Sequence, residues 1–257
     1  MALDSSLAAL QAGIGGVLAG NPAAAIAAAA VTTIGGDIVK RLLSPREEQR
    51  VETLVSLAAA QIALRRAEGA EPRTDLDPTE LTELLEGALL AAKDSYEQKK
   101  LPLLANLIAA APFTGTPLAN LVGSLYLAES LTYRQLCILA VLKPFEPWNG
   151  PALTGTNVAH LMAQQPLAES HEGVIQDLQY LVALDLVVHA PRGQLQIVPS
   201  ADLVPADAML TYRARLLYNG MRLRTIPQED LADVLGVLGA GPPNVAERHG
   251  VRGPIRR

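Results

Sequence analysis

Cysteine is nearly missing from this chain. Cys137 stands alone, so no internal disulfide can form, and a reducing compartment is the natural setting. Within TYRQLCILAVL it reads as a small buried packing residue. Aromatic residues are also scarce, with two Phe and one Trp in 257 residues. Ala and Leu supply most of the apolar content instead, which favours helix over sheet. A basic excess is missing too: 21 Lys and Arg face 26 Asp and Glu, for a net charge of -5. That balance argues against broad attraction to nucleic acid.

The motifs of common chemistries are missing as well. The chain contains no G-x-x-x-x-G-K-[ST], no G-x-S-x-G, no H-E-x-x-H and no C-x-x-C. Gly13, Gly15 and Gly20 do not fit G-x-G-x-x-G, because the third glycine falls late and no strand precedes it. His160, His171, His189 and His249 scatter over different predicted elements, so they make no metal set. Glu80, Glu83 and Glu86 repeat at three residues without an E-x-x-H partner and read as a solvated helix face. The expectation is a non-enzymatic protein with no cofactor, no metal and no small-molecule substrate.

Charge is absent between Asp4 and Asp37, where the text runs GIGGVLAGNPAAAIAAAAVTTIGG over residues 13–36. The first charge is Asp4, so the basic start of a secretory leader is lacking. Gly20, Asn21 and Pro22 supply a C′ glycine, an N-cap and an N1 proline, predicting a helical hairpin over 1–43. A membrane span needs roughly 20 apolar residues. The first predicted helix is too short, and the second carries Asp37 and Lys40 near its end. Small residues recur every fourth position at Ala12, Gly16, Gly20, Ala24, Ala28, Thr32 and Gly36. Such stripes let helix backbones approach closely, in membranes above all. Two readings stay open: close packing within a fold or oligomer, and a segment that meets a membrane on a trigger. Lys40, Arg41, Arg46 and Arg50 follow it and would keep the body cytoplasmic, at most peripheral to the inner membrane face.

From residue 44 the helical punctuation is plain. Ser44-Pro45-Arg46-Glu47 is a capping box with Pro at N1, and Gly69 closes the helix. Its apolar stripe is Val51, Leu54, Val55, Ala58 and Ile62. Asp77-Pro78-Thr79-Glu80 opens a second helix, with Leu81, Leu84, Leu85, Ala88, Leu89, Ala92 and Tyr96 as its buried stripe. Asp94, Glu97, Lys99 and Lys100 read as an exposed charged face. Helices follow in PLLANLIAAA and LANLVGSLYLAE, and Thr132-Tyr133-Arg134-Gln135 is another capping box. Residues 44–142 thus predict an antiparallel helical array.

KPFEPWNGP (143–151) interrupts with three prolines and a glycine. Beyond it come NVAHLMAQQ, EGVIQDLQYLVAL and an alternating LVVHA-PRG-QLQIV that predicts a β-hairpin turning at Pro191-Arg192-Gly193. This order is that of a winged helix, placed at 143–238 with two further helices. The would-be recognition helix exposes Glu172, Gln176, Asp177 and Gln179 and holds no Lys or Arg, so DNA is not the expected partner. A basic contact surface is expected from Arg192, Arg213, Arg215, Arg222 and Arg224, alongside Leu216, Leu217 and Met221 facing the core. The Gly-, Pro- and Arg-bearing stretch 239–257 lacks apolar periodicity and predicts a disordered tail. The fold class is therefore mostly α, with one small β-hairpin.

KLPLLANL (100–107) and LTYRQLC (131–137), between the Gly/Ala-rich start and LYNGMRL and TIPQEDL, resemble an uncharacterised bacterial helical family with an LSYRQLC-like motif. The layout is similar, more loosely, to abortive-infection proteins of phage defence. That likeness implies an effector with a membrane-active segment and a sensing helical body, and it carries no residue roles. Self-association or a protein partner, and an anionic membrane surface, are the partners these readings imply.

Overall fold

The computed structural model describes residues 44–73, 75–142, 152–163, 169–191, 196 and 198–239. The predicted N-terminal hairpin and nearly all of the predicted tail lie outside the described residues. The described part is mostly helical with one two-stranded antiparallel sheet. It divides into two compact units, the first ending at Ala140 but taking in Tyr212–Ile226, the second holding the remainder.

The first unit is built on α1 (Pro45–Ala67), α2 (Pro78–Asp94), α3 (Leu101–Ala110), α4 (Leu118–Ser130), most of α5 (Tyr133–Val141) and α8 (Tyr212–Gly220). The Ser44 capping box forms in both directions: Glu47 N–H donates to Ser44 Oγ, and Ser44 N–H to Glu47 Oε2. Val51, Leu54, Val55, Ala58 and Ile62 are the buried residues of α1, and Gly69, at φ 83°, turns the chain out of it. Asp77 caps α2 by accepting from Thr79 and Glu80 N–H groups. Its stripe is buried from Leu81 to Ala92, but Tyr96 is 94% exposed. The helix stops at Asp94 and Ser95 turns extended, so the helical period that would bring Tyr96 inward does not reach it. α3 packs on α1, and α4 on both α2 and α8. Every residue of α3 except Pro102 is buried, as PLLANLIAAA, apolar all round but for Asn106, requires.

The second unit holds α6 (Val158–Ala163), α7 (Glu169–Ala183), α9 (Gln228–Leu238) and a small sheet of β1 (Val187–His189) and β2 (Ala208–Leu210), with α7 packed on β1 and on both other helices. Val187 pairs with Leu210, Val188 with Met209 and His189 with Ala208. The expected small antiparallel β element is present, with β1 lying in LVVHA. Within QLQIV, Gln196 bridges His189 in the antiparallel sense, residues 192–195 and 197 lie outside the described residues, and Ala208-Met209-Leu210 pairs with β1 and buries Ala208 and Leu210. A 3₁₀ turn at Pro205–Asp207 leads into that strand. Gly239, first residue of the predicted tail, is bridged to Leu153. Among the described residues no helix is long and apolar enough to cross a membrane.

Candidate functional site

The site is assembled from two helix ends in the first unit. Arg65 sits in the last turn of α1, where a cation complements the helix dipole. Glu68 and Gly69 end that helix, and Ala70 N–H returns to the Arg65 carbonyl. At the other end, α8 finishes at Gly220 and the chain enters Met221-Arg222. Gly220 is a close approach: a Cβ there would lie 2.6 Å from Leu107 Cδ1 of α3. Asn106, buried on the same helix, donates from Nδ2 to the Met221 carbonyl at 3.1 Å.

Held this way, Arg222 adopts φ 53°, ψ 48°, a left-handed conformation that costs a non-glycine residue about 1–2 kcal/mol. Thr225 secures the turn, donating from its N–H and its hydroxyl to the Arg222 carbonyl at 2.8 and 2.9 Å. The strained backbone aims Arg222, with Arg224 two residues on, into a cleft of about 370 Å³ that Arg65 and Glu68 also line. Phe113 and Tyr218 add apolar wall.

The electrostatics of this cleft are unfavourable to its own charges. Burial pushes the Arg65 guanidinium below its ordinary pKa; Arg222 adds to this, Glu68 opposes it and Arg224 adds again. Arg65 stays a cation at neutral pH, since guanidinium starts so high. Its Nε is buried and has no hydrogen-bond partner. Burial raises the Tyr218 phenol, against the pull of Arg224. Among the described residues no carboxylate comes within ion-pair distance of Arg65, Arg222 or Arg224. Three clustered guanidiniums, of which Arg65 is partly desolvated, can accept an anion, and a guanidinium fork suits oxyanions.

The expected basic surface is thus only partly assembled. Arg222 and Arg224 meet in the cleft, while Arg213 is exposed and lines a separate cavity of about 160 Å³ with Tyr212 and Ser124. Arg215 is half-buried and has an interaction of its own. Arg192 lies outside the described residues, as do Ala12, Gly16, Gly20, Ala24, Ala28, Thr32 and Gly36. Leu217 and Met221 are fully buried, as expected, and Leu216 half-buried. Arg65 was missed by sequence reasoning: in ALRRAEG it looks like an ordinary C-terminal cation, and nothing links it to residues more than 150 positions away.

The charged face expected at 94–100 holds at Asp94 and Lys99, which are exposed, and is corrected at Lys100 and, in part, at half-buried Glu97. Lys100 is 6% exposed, and its ammonium donates to the Leu131 carbonyl at 2.6 Å and the Glu129 carbonyl at 3.3 Å, closing the end of α4. Burial lowers its pKa, with Glu97 and Glu129 opposing. Glu97 accepts the Tyr133 N–H on both carboxylate oxygens, at 2.9 and 3.1 Å, and so secures the start of α5. The Thr132 capping box forms beside it: Gln135 N–H donates to Thr132 Oγ1, and Thr132 N–H to Gln135 Oε1. Glu80, Glu83 and Glu86 are exposed as read, and no group of metal-ligating side chains occurs among the described residues. No protein-family model, no curated protein and no solved structure matches the chain.

Proposed function

We propose that this is a non-enzymatic bacterial effector whose small-residue N-terminal segment acts at a membrane when the helical body is triggered. The observation that carries the reading is the charge-free run between Asp4 and Asp37, followed at once by Lys40 and Arg41 and joined to a body with ordinary charged faces. Gly costs about 1 kcal/mol in a helix interior. Repeated glycine at four-residue spacing is therefore best supported by a contact that needs close approach, whether to lipid or to another helix. The layout likeness to abortive-infection proteins gives the reading its biological setting, and the cytoplasm, at the inner membrane face, is its place of action.

Co-sedimentation of the whole protein with phosphatidylglycerol vesicles tests it. Wild-type protein should pellet with the vesicles, and Ala24→Asp with Ala28→Asp should abolish pelleting by placing charge in the segment. Vesicle binding unchanged by the double substitution ends the membrane reading. Gly16→Leu with Gly20→Leu, read by light scattering, addresses the second reading. A discrete oligomer lost in that variant, with no vesicle binding in wild type, makes the stripe an assembly surface.

A second part of the proposal concerns 143–238. The chain order α5, α6, α7, β1, β2 supports a winged-helix-like arrangement. α7 carries no Lys or Arg and exposes Glu172 and Gln176, which are hydrogen-bonded to each other at 3.0 Å. That acidic face supports contacts with protein rather than with a phosphate backbone. Duplex binding that weakens with salt and with Arg192→Ala would reverse this choice.

A further inference from the structure

We infer that the cleft formed by Arg65, Arg222 and Arg224 is a receptor site for a terminal phosphate group, a function independent of anything the N-terminal segment does. Four observations converge on it. The three arginines line one cleft, Arg65 from the end of α1 and Arg222 and Arg224 from the turn after α8, more than 150 positions later. Arg65 is partly desolvated, and its Nε is buried without a partner. Arg222 is held in a left-handed backbone between the Met221 carbonyl, bound by buried Asn106, and its own carbonyl, bound by exposed Thr225, and strain of this kind gathers where a side chain must be aimed. The charge also fits: Arg65, Arg222 and Arg224 against Glu68 leave two positive charges, matching the -1.5 to -2 of a phosphate monoester near pH 7.

A carboxylate is the weaker match, because a single guanidinium fork already satisfies its two oxygens. Three forks suit a group with three terminal oxygens. The volume of about 370 Å³ lies within the range of small-ligand sites and leaves space for an organic portion against Phe113 and Tyr218. The same terminal phosphate occurs on soluble phosphate esters and on phosphatidic acid headgroups.

The test is titration of the whole protein with ADP, inorganic pyrophosphate and adenosine by calorimetry, and with phosphatidic acid vesicles by co-sedimentation. ADP and pyrophosphate should bind and adenosine should not. Arg65→Gln and Arg222→Gly should each weaken binding by roughly tenfold or more, as expected for loss of a charge-assisted hydrogen bond. Arg222→Gly relieves the left-handed backbone, so its melting temperature should equal or exceed wild type, which separates lost binding from lost folding. Arg213→Gln, outside the cleft, should change affinity less than twofold. Vesicle binding that depends on Arg222, without soluble-ligand binding, also supports the site and makes its source the lipid headgroup. Absence of both, or binding that Arg213→Gln weakens as much as Arg222→Gly, overturns the inference.

Discussion

The two units hold themselves together by different means. In the first, long capped helices bury wide apolar faces, and every buried polar side chain among the described residues belongs to it: Lys100, Asn106, Ser124 and Gln135. Each of these binds backbone, with Lys100 on the end of α4, Asn106 on the Met221 carbonyl, Ser124 on the Asn120 carbonyl and Gln135 on its own N-cap. Arg73 works similarly from a partly exposed position: it donates to the Thr114 and Thr116 carbonyls at 3.0 Å while its fork holds Asp75. The second unit has shorter elements, joined by backbone hydrogen bonds between loops. Thr154 N–H donates to the Leu238 carbonyl, Val158 N–H to Leu203, Ala206 N–H to Thr154 and Thr211 N–H to Leu186. Side chains that clamp distant backbone can aim other side chains, whereas loop-to-loop backbone pairing fixes only the path of the chain. The cleft lies in the unit that has the clamps.

The largest expected effect breaks this comparison at its base. Leu104→Ala on α3, where the side chain is 1% exposed, should cost about 3 kcal/mol. Leu181→Ala on α7, fully buried, should cost a similar amount. Hydrogen exchange should show each variant loosening amides of its own unit first. Equal loosening of both units by either variant would mean that they unfold together.

Lys100→Met comes next, since it leaves the Leu131 and Glu129 carbonyls without their donor at about 1–2 kcal/mol, read by urea denaturation. It also has a pH signature. A base whose folded pKa lies below its unfolded value of 10.5 binds fewer protons when folded. Its contribution to stability therefore rises with pH between the lowered folded value and 10.5. Tyr218, a phenol pushed above 10.0 by burial, acts oppositely in the alkaline range, losing stability as pH rises past 10.0. The wild-type minus Lys100→Met difference isolates the lysine and should increase with pH.

Thr132→Ala should cost about 1 kcal/mol by removing one half of a capping box. The effect should grow when Glu97→Gln is added, because both groups secure the first turn of α5, and a double-mutant cycle measures that coupling. Smallest of all is Tyr96→Ser. At 94% exposure it should shift stability by no more than about 0.5 kcal/mol, whereas a stripe residue of α2 would cost several times that.

Local grammar made much of the first unit legible. Ser44, Asp77 and Thr132 are each followed within three residues by the partner that completes the cap, and the stripe of α1 matches its buried residues one for one. Where local grammar ended, so did legibility. Tyr96 satisfied the period of a helix that had already stopped, and Lys100 looked exposed because its carbonyl partners lie about thirty positions away. β2 was not read for the same reason, since its partner LVVHA lies about twenty positions before it. Of the cleft, only Arg222 and Arg224 were visible. Their meeting with Arg65 depends on packing of α8 in the first unit, which no spacing in the sequence encodes.

The return of Tyr212–Ile226 to the first unit has a consequence for synthesis. A chain emerging from the ribosome makes α1 to α5 first, then all of 141–211, and only afterwards the segment that covers the apolar faces of α3 and α4. Throughout that interval Leu107 and Leu121, the neighbours awaiting Gly220, lack their cover, and Asn106 has no Met221 carbonyl to bind. The first unit is thus completed late, by a piece of chain that must wait for another unit to be made. Translation halted before residue 212 would leave a nascent protein with sticky helices and half a cleft.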